Sequence, residues 1–313
     1  ASIKDYENNT SFKDLSKDWL RTAMAQRYAY NFDWLGRPII QLPTDVFALQ
    51  EIIWKVKPDQ AERIGAQGAF TVKNSSTMRI GYLNFDAMGR HSKNPMNDVR
   101  VRKAIAHAID RGGIVKALVK GESIVVNSLC FPSQFGCTQD VPTYDYNPAK
   151  AKKLLAEAGY ADGFEIPFLA YRNRDYAEAM INNLNAIGIK TKFEYLKYAA
   201  FRDKVQDGGS PFNFGTWGSY SINDVSAITS HFQSGGKDDY SKDAEVIKQL
   251  KIGDTNVDPK VRKDAYKAAL SRISDQVFMF PLWSYNTWYA FSKDVDFNPT
   301  PDEIPRFFTA KWK

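Results

Sequence analysis

The chain has 313 residues, 43% of them hydrophobic, and its 42 lysines and arginines against 36 aspartates and glutamates give a net charge of +6. That length can bury a sizeable core and form two lobes, whereas no apolar run reaches the roughly 18 residues that a bilayer-spanning helix needs. The basic excess is interleaved with acids, as in "SKDAEVIKQLK" and "DPKVRKDAYK", a pattern of solvated helix faces rather than of a phosphate track, so no nucleic-acid partner is expected.

The opening "ASIKDYENNTSF" is polar, and a secretory leader is expected to be absent or already removed. A helix is predicted from Ser16 to about Tyr30, with Gly36 and Pro38 ending any continuation. Pro58-Asp59 starts a second helix that closes near Gly65. The segment "FTVKNSSTMRIGYLNFD" then alternates like a strand, with Met78, Ile80 and Tyr82 in one phase and Leu83 and Phe85 in the other.

The stretch "NPMNDVRVRKAIAHAIDRGGIV", residues 94–115, carries a helix capped by Asn97 or Asp98. Its apolar seam is Val101, Ala104, Ile105, Ala108 and Ile109. Arg100, Arg102, Lys103 and Arg111 lie on or beside the other face, which is expected to be solvated or paired across a lobe boundary. His107 is read as a partly exposed bystander, and Gly112-Gly113 as a left-handed stop.

Asn147 and Pro148 open a further helix that Gly159 ends. Residues 164–171 read as a strand, "RDYAEAMINNLNAIG" as a helix and residues 189–196 as a second strand. Such a βαβ unit makes part of the sheet parallel. A helix over "AAFRDKVQDGG" leads to the strand "FNFGTWGSYS", which breaks into a glycine-containing turn. Two more helices follow, the second opened by Asp258-Pro259. The aromatic "VFMFPLWSYNTWYAFS" is predicted to cross the core more than once, with Trp283, Tyr285, Trp288 and Tyr289 as packing residues.

Cys130 and Cys137, the only cysteines, close a short loop with Pro132 and Gly136 that suits a local disulfide, worth about 2–3 kcal/mol by loop entropy; two reduced thiols are the other reading. The three histidines, His91, His107 and His231, form no HExxH arrangement. No GxSxG elbow, Walker loop or GxGxxG fingerprint is present. The chain is therefore read as a non-enzyme that needs no metal or cofactor.

Five segments in order resemble the family 5 extracellular solute-binding proteins of peptide-type ABC importers: residues 94–115, "YNPAKAKKLLAEAGYADGFE", "AEAMINNLNAIGIKTKFEYLKYAAFRDKV", "FNFGTWGSY" and the C-terminal "FPLWSYNTWYAFSKDVDFNPTPDEIPRFFTAKWK". The resemblance runs from about residue 46 to residue 313. It implies an α/β, type II periplasmic-binding-protein-like lobe with a mixed sheet and flanking helices, plus part of a first lobe. The long N-terminal portion of such proteins has only about 45 poorly matching residues in its place here. Residues 1–75 are accordingly expected to be a first-lobe remnant and hinge approach, 76–278 the second lobe, and 279–313 the hinge return. The implied function is capture of a small polar solute, such as a peptide or an opine-like metabolite, outside the cytoplasmic membrane for delivery to an ABC permease. The other reading is a truncated orphan lobe with weak or no ligand binding that acts as an interaction module and self-associates through its exposed lobe interface.

The candidate ligand-binding residues begin with "GTWGSYSIND": Trp217 on a strand end beside Gly218, then Ser219, Tyr220 and Asp224. In peptide-binding members of the resembled family an aspartate three residues after this tryptophan pairs with the α-ammonium. Tyr220 stands there instead, and a hydroxyl does not replace a carboxylate facing a buried cation. Tyr171, Arg172 and Arg174 follow a strand's C-terminal end, where ligands collect in parallel sheets and where a guanidinium holds a carboxylate bidentately.

Overall fold

The computed structural model describes residues 10–25, 32–34, 37–39, 53–56, 58–92, 94–304 and 310–313. Helix α1 (Thr10–Ala25), the hairpin β1 (Phe32–Trp34) and β2 (Arg37–Ile39), β3 (Ile53–Val56) and helix α2 (Pro58–Ala66) come first. Thus α1 begins six residues before the predicted Ser16, and the expected continuation to Tyr30 lies outside the described residues. Strand β4 (Phe70–Phe85) leads to α3 (Val99–Ala108), the short α4 (Arg111–Ile114) and α5 (Pro148–Glu157). Then come β5 (Phe164–Ala170), α6 (Arg174–Asn185), β6 (Ile189–Tyr195), α7 (Tyr198–Gln206) and β7 (Phe212–Trp217). Helices α8 (Ser226–Phe232), α9 (Ala244–Thr255) and α10 (Pro259–Gln276) precede the long β8 (Met279–Ser292) and the short pair β9 (Val295–Asp296) and β10 (Lys311–Trp312).

Six strands form one mixed sheet in the order β3-β8-β4-β7-β5-β6. β5 runs parallel to both β6 and β7, as the βαβ reading required, while the β3, β8, β4 and β7 contacts are antiparallel. The two phases of β4 now have a cause. Leu83 and Phe85 pack with Val101, Ile105, Leu155 and Met180 from α3, α5 and α6, whereas Ile80 and Tyr82 pack with Phe232, Val246, Leu250 and Leu270 from α8, α9 and α10. A strand covered on both faces is apolar in both phases.

The β8 segment corrects the sequence reading: it crosses once, as a continuous 14-residue strand hydrogen-bonded between β3 and β4. Trp283, Tyr285 and Tyr289 are core, at 0%, 9% and 3% exposure, whereas Trp288 is only half-buried. Cys130 and Cys137 are joined in a disulfide.

Helix α3 departs further from expectation. Asp98 caps it, accepting the Arg100 N–H, but only part of the basic face is solvated: Arg100 is exposed beside Asp98 and Lys103 is half-buried beside Asp275. Arg102 and Arg111 are buried, and so is His107, whose Nδ1 lies 2.9 Å from the Asp145 carbonyl oxygen. The Arg102 guanidinium donates to the carbonyls of Gln276 at 2.9 Å and Met96 at 2.6 Å. Gln276 ends α10, so a cation there meets the negative end of that helix dipole. Arg111 donates to the Val126, Pro281 and Tyr144 carbonyls at 2.8, 3.1 and 3.0 Å, with its guanidinium 4.7 Å from the centre of the Phe280 ring. Burial pulls both arginines down to about 10. Near the start of α3, Arg102 is buried because it satisfies carbonyls of other elements, whereas Arg100 beside it stays exposed.

Gly112-Gly113 is not a helix stop. α3 ends at Ala108 and Asp110 caps α4, accepting the Gly113 N–H at 2.8 Å. A Cβ on Gly113 would collide with that carboxylate, so glycine is what lets the cap close.

Candidate functional site

The C-terminal ends of the three parallel strands share one edge of the sheet. Tyr171 follows β5, Tyr198 begins α7 just after β6, and β7 ends at Trp217. They border a pocket of about 450 Å³, whose floor is Thr216 and Arg79 and whose far wall is Asp302–Ile304. That volume lies within the range of small-molecule sites.

Trp217 is fixed by its indole N–H, which donates to the Ala227 carbonyl at 2.7 Å, and by stacking on His231 with ring centres 4.3 Å apart. Tyr220 meets the tryptophan edge-on at 5.1 Å and is 78% exposed. Ser219 and Tyr220 both adopt left-handed backbone, φ 55° and 47°, which costs non-glycine residues energy and persists only where the surroundings impose it. Ser219 itself is buried and does not line the pocket.

Polar groups converge on Thr216. Its Oγ1 accepts from Arg79 Nη1 and from Arg172 Nη1, each at 3.1 Å, and lies 3.2 Å from the Tyr171 hydroxyl. A hydroxyl oxygen has two acceptor sites, so the two guanidinium groups fill it and its own proton points to Tyr171. Arg79 also grips Glu303 bidentately: Nε donates to both carboxylate oxygens at 2.9 and 3.0 Å, and Nη2 lies 2.8 Å from Oε2. Burial works against the charge on Arg79, but the hydrogen bond and proximity to Glu303 outweigh it and hold this arginine above its ordinary range. Glu303 reaches this position because the Met78 N–H on β4 donates to the Pro301 carbonyl at 2.9 Å.

The structure therefore gathers Trp217, Gly218, Tyr220 and Tyr171 around the pocket, with Arg172 reaching its Thr216 floor. Two other candidates stand apart. Asp224 pairs with Arg262 at 2.8 Å and caps Ser226 N, so its carboxylate is committed to structure. Arg174 pairs with Glu178 one helical turn along α6 and lies outside the pocket. Sequence reasoning missed Arg79, Thr216, Tyr198 and Glu303. A charge flanked by Met78 and Ile80 in a buried strand was the one available signal for Arg79.

Comparison with known proteins decides the family. Residues 50–239 match the model of the bacterial extracellular solute-binding proteins, family 5. The chain belongs to that family. Among its relatives, the dipeptide-binding protein of Escherichia coli (strain K12) is 28% identical over 159 residues, 48% of this chain and 29% of that protein. The glutathione-binding protein GsiB of Salmonella choleraesuis (strain SC-B67) is 32% identical over 50% of this chain and 31% of its own length. Of solved structures, HbpA2 from Haemophilus parasuis aligns with a TM-score of 0.73 at 22% identity, covering 88% of this chain and 57% of that one. DppA from Helicobacter pylori in complex with the peptide STSA gives 0.74 at 22% identity, covering 88% and 56%. These structures share the mixed α/β architecture expected for this family 5 chain. The chain spans between 25% and 50% of the length of the first four curated relatives it matches.

Proposed function

We propose that the chain is the solute-binding component of an ABC importer, capturing a small polar solute outside the cytoplasmic membrane for delivery to a permease. Within this reading, residues 76–278 form the second lobe, and residues 1–75 and 279–313 belong to the first lobe and the hinge. The observation that carries it is the pocket at the shared C-terminal ends of β5, β6 and β7, where ligands collect in open α/β sheets. Trp217, Tyr171, Tyr198 and Tyr220 offer aromatic surface there, and the Arg79 guanidinium lines the same pocket, with Arg172 meeting it on Thr216; aromatic walls with a few polar groups are the usual composition of a small-molecule site.

In this reading the site binds its solute and leaves it chemically unchanged. The Thr216 hydroxyl is bonded to guanidinium groups rather than to a base that could activate it, which supports this reading. Binding would stabilise whichever arrangement of the protein contacts the solute best, by the difference in affinity alone.

Native mass spectrometry of protein purified without refolding is the direct test. The expected result is a small-molecule adduct released on denaturation and lost in Trp217→Ala. Turnover of the captured molecule, or its retention in the Trp217→Ala variant, would overturn the reading.

A further inference from the structure

Arg79 and Arg172 approach the same Thr216 hydroxyl from two elements, β4 and the end of β5, so two cations stand side by side on a residue 5% exposed. Only one of them has a carboxylate. Glu303 takes Arg79 in a side-on bidentate grip, while Arg172 has no ion-pair partner among the described residues. The second pocket acid, Asp302, accepts from the Thr300 hydroxyl at 2.7 Å and from the Ile304 N–H at 3.2 Å, bonds that cap its own turn. The carboxylate of Glu303 is planar and offers two oxygens, which is the shape the guanidinium fork prefers. It is also held on unfavourable backbone: Glu303 has φ 62°, a left-handed conformation in a non-glycine residue. Gly218 makes room for the pair, since a Cβ there would fall 2.6 Å from Arg79 Nη2 and 2.9 Å from Glu303 Oε2.

We propose that the guanidinium groups of Arg79 and Arg172, gathered on Thr216, form the receptor for a carboxylate of the solute, and that Glu303 occupies its Arg79 side until that carboxylate displaces it. This rests on the solute-capture reading and deepens it. The solute is anchored by its negative end and needs no ammonium group. Tyr220, standing at the strand end without a charge, supplies aromatic surface beside that anchor.

Two aromatic probes of opposite charge test it on the whole chain: N-acetyl-L-tyrosine, a carboxylate without an ammonium, and L-tyrosinamide, an ammonium without a carboxylate. Binding is followed by the NMR signals of the Arg79 Nε–H and the Trp217 indole N–H. N-acetyl-L-tyrosine should bind and tyrosinamide should not. Glu303→Gln removes the resident competitor and should tighten N-acetyl-L-tyrosine by up to about tenfold, the scale of one charged hydrogen bond. Arg79→Gln and Arg172→Gln should each weaken it, while a thermal transition like that of the parent chain shows that they fold. Preference for tyrosinamide, weaker N-acetyl-L-tyrosine binding in Glu303→Gln, or no response to N-acetyl-L-tyrosine in either protein overturns the assignment. Solute capture is judged separately by the mass measurement, so tyrosinamide preference together with a released adduct would remove the anion receptor and leave capture standing.

Discussion

At Gly218 the backbone φ is −101°, which suits any residue, so the requirement for glycine comes from space alone. A methyl group there would press on the tips of Arg79 and Glu303. Both tips are the far ends of flexible side chains, so the fold can yield cheaply but the ion pair cannot survive in place. Gly218→Ala should therefore cost less than about 1 kcal/mol of stability yet shift the Arg79 Nε–H signal and weaken solute binding. An unchanged Arg79 signal would show that the pair does not depend on this close approach. The positions of Trp217, Gly218, Tyr171 and Arg172 at strand ends and a glycine turn were legible because those are local patterns. The sequence hid Arg79 and Glu303, which meet across 224 residues and become partners only through the docking of Pro301 on β4. Nor did it show that the charges of Asp224 and Arg174 are answered by Arg262 and Glu178.

At the scale of elements, end signals proved the most readable feature. Asn147 accepts from Lys150 N with Pro148 in the first turn of α5, and Asp258 accepts from Lys260 N and Val261 N at the start of α10. The parallel strands β5 and β6 followed from the spacing of a crossover helix. The burial of Arg102 on α3 and of Arg111 on α4 was misread because a helical pattern reveals charge but not the distant carbonyls that charge will meet; those of Gln276, Val126 and Pro281 come from elsewhere in the chain. The length of β8 was misread because a strand buried on both faces loses its alternation, and 14 continuous residues then look like several crossings. The loop between α4 and α5 depends on its covalent closure. Cys130 packs with Val225, Leu250 and Tyr266, and the bridge ties residues seven apart. Reduction should lower stability by about 2–3 kcal/mol on the loop-entropy estimate. Urea unfolding with and without reductant measures it, and equal midpoints would show that apolar packing alone holds this loop.

For the molecule as a whole, one sheet separates two apolar cores, and the pocket opens where three strands end between them. Acid should loosen this arrangement first behind Trp217. There Asp238, 8% exposed, binds Arg202 through both oxygens at 2.7 and 2.9 Å and lies 3.1 Å from His231 Nε2. The cluster joins α7, α8 and the loop before α9. Burial raises the Asp238 carboxyl, but the contacts with His231 and Arg202 outweigh it and hold the group well below its ordinary 3.8. The folded state thus binds fewer protons than the unfolded chain around that value. The ionised aspartate contributes full stability above about pH 4, and the contribution drains away as pH falls toward the lower folded value. Asp238→Asn should cost about 1–3 kcal/mol near neutral pH, where it leaves Arg202 without its charge partner. The gap between parent and variant in urea midpoints should then narrow steadily below about pH 4. A gap that stays constant from neutral to acid conditions would mean that shape and hydrogen bonding at Asp238, rather than its charge, hold α7 and α8 behind the binding wall.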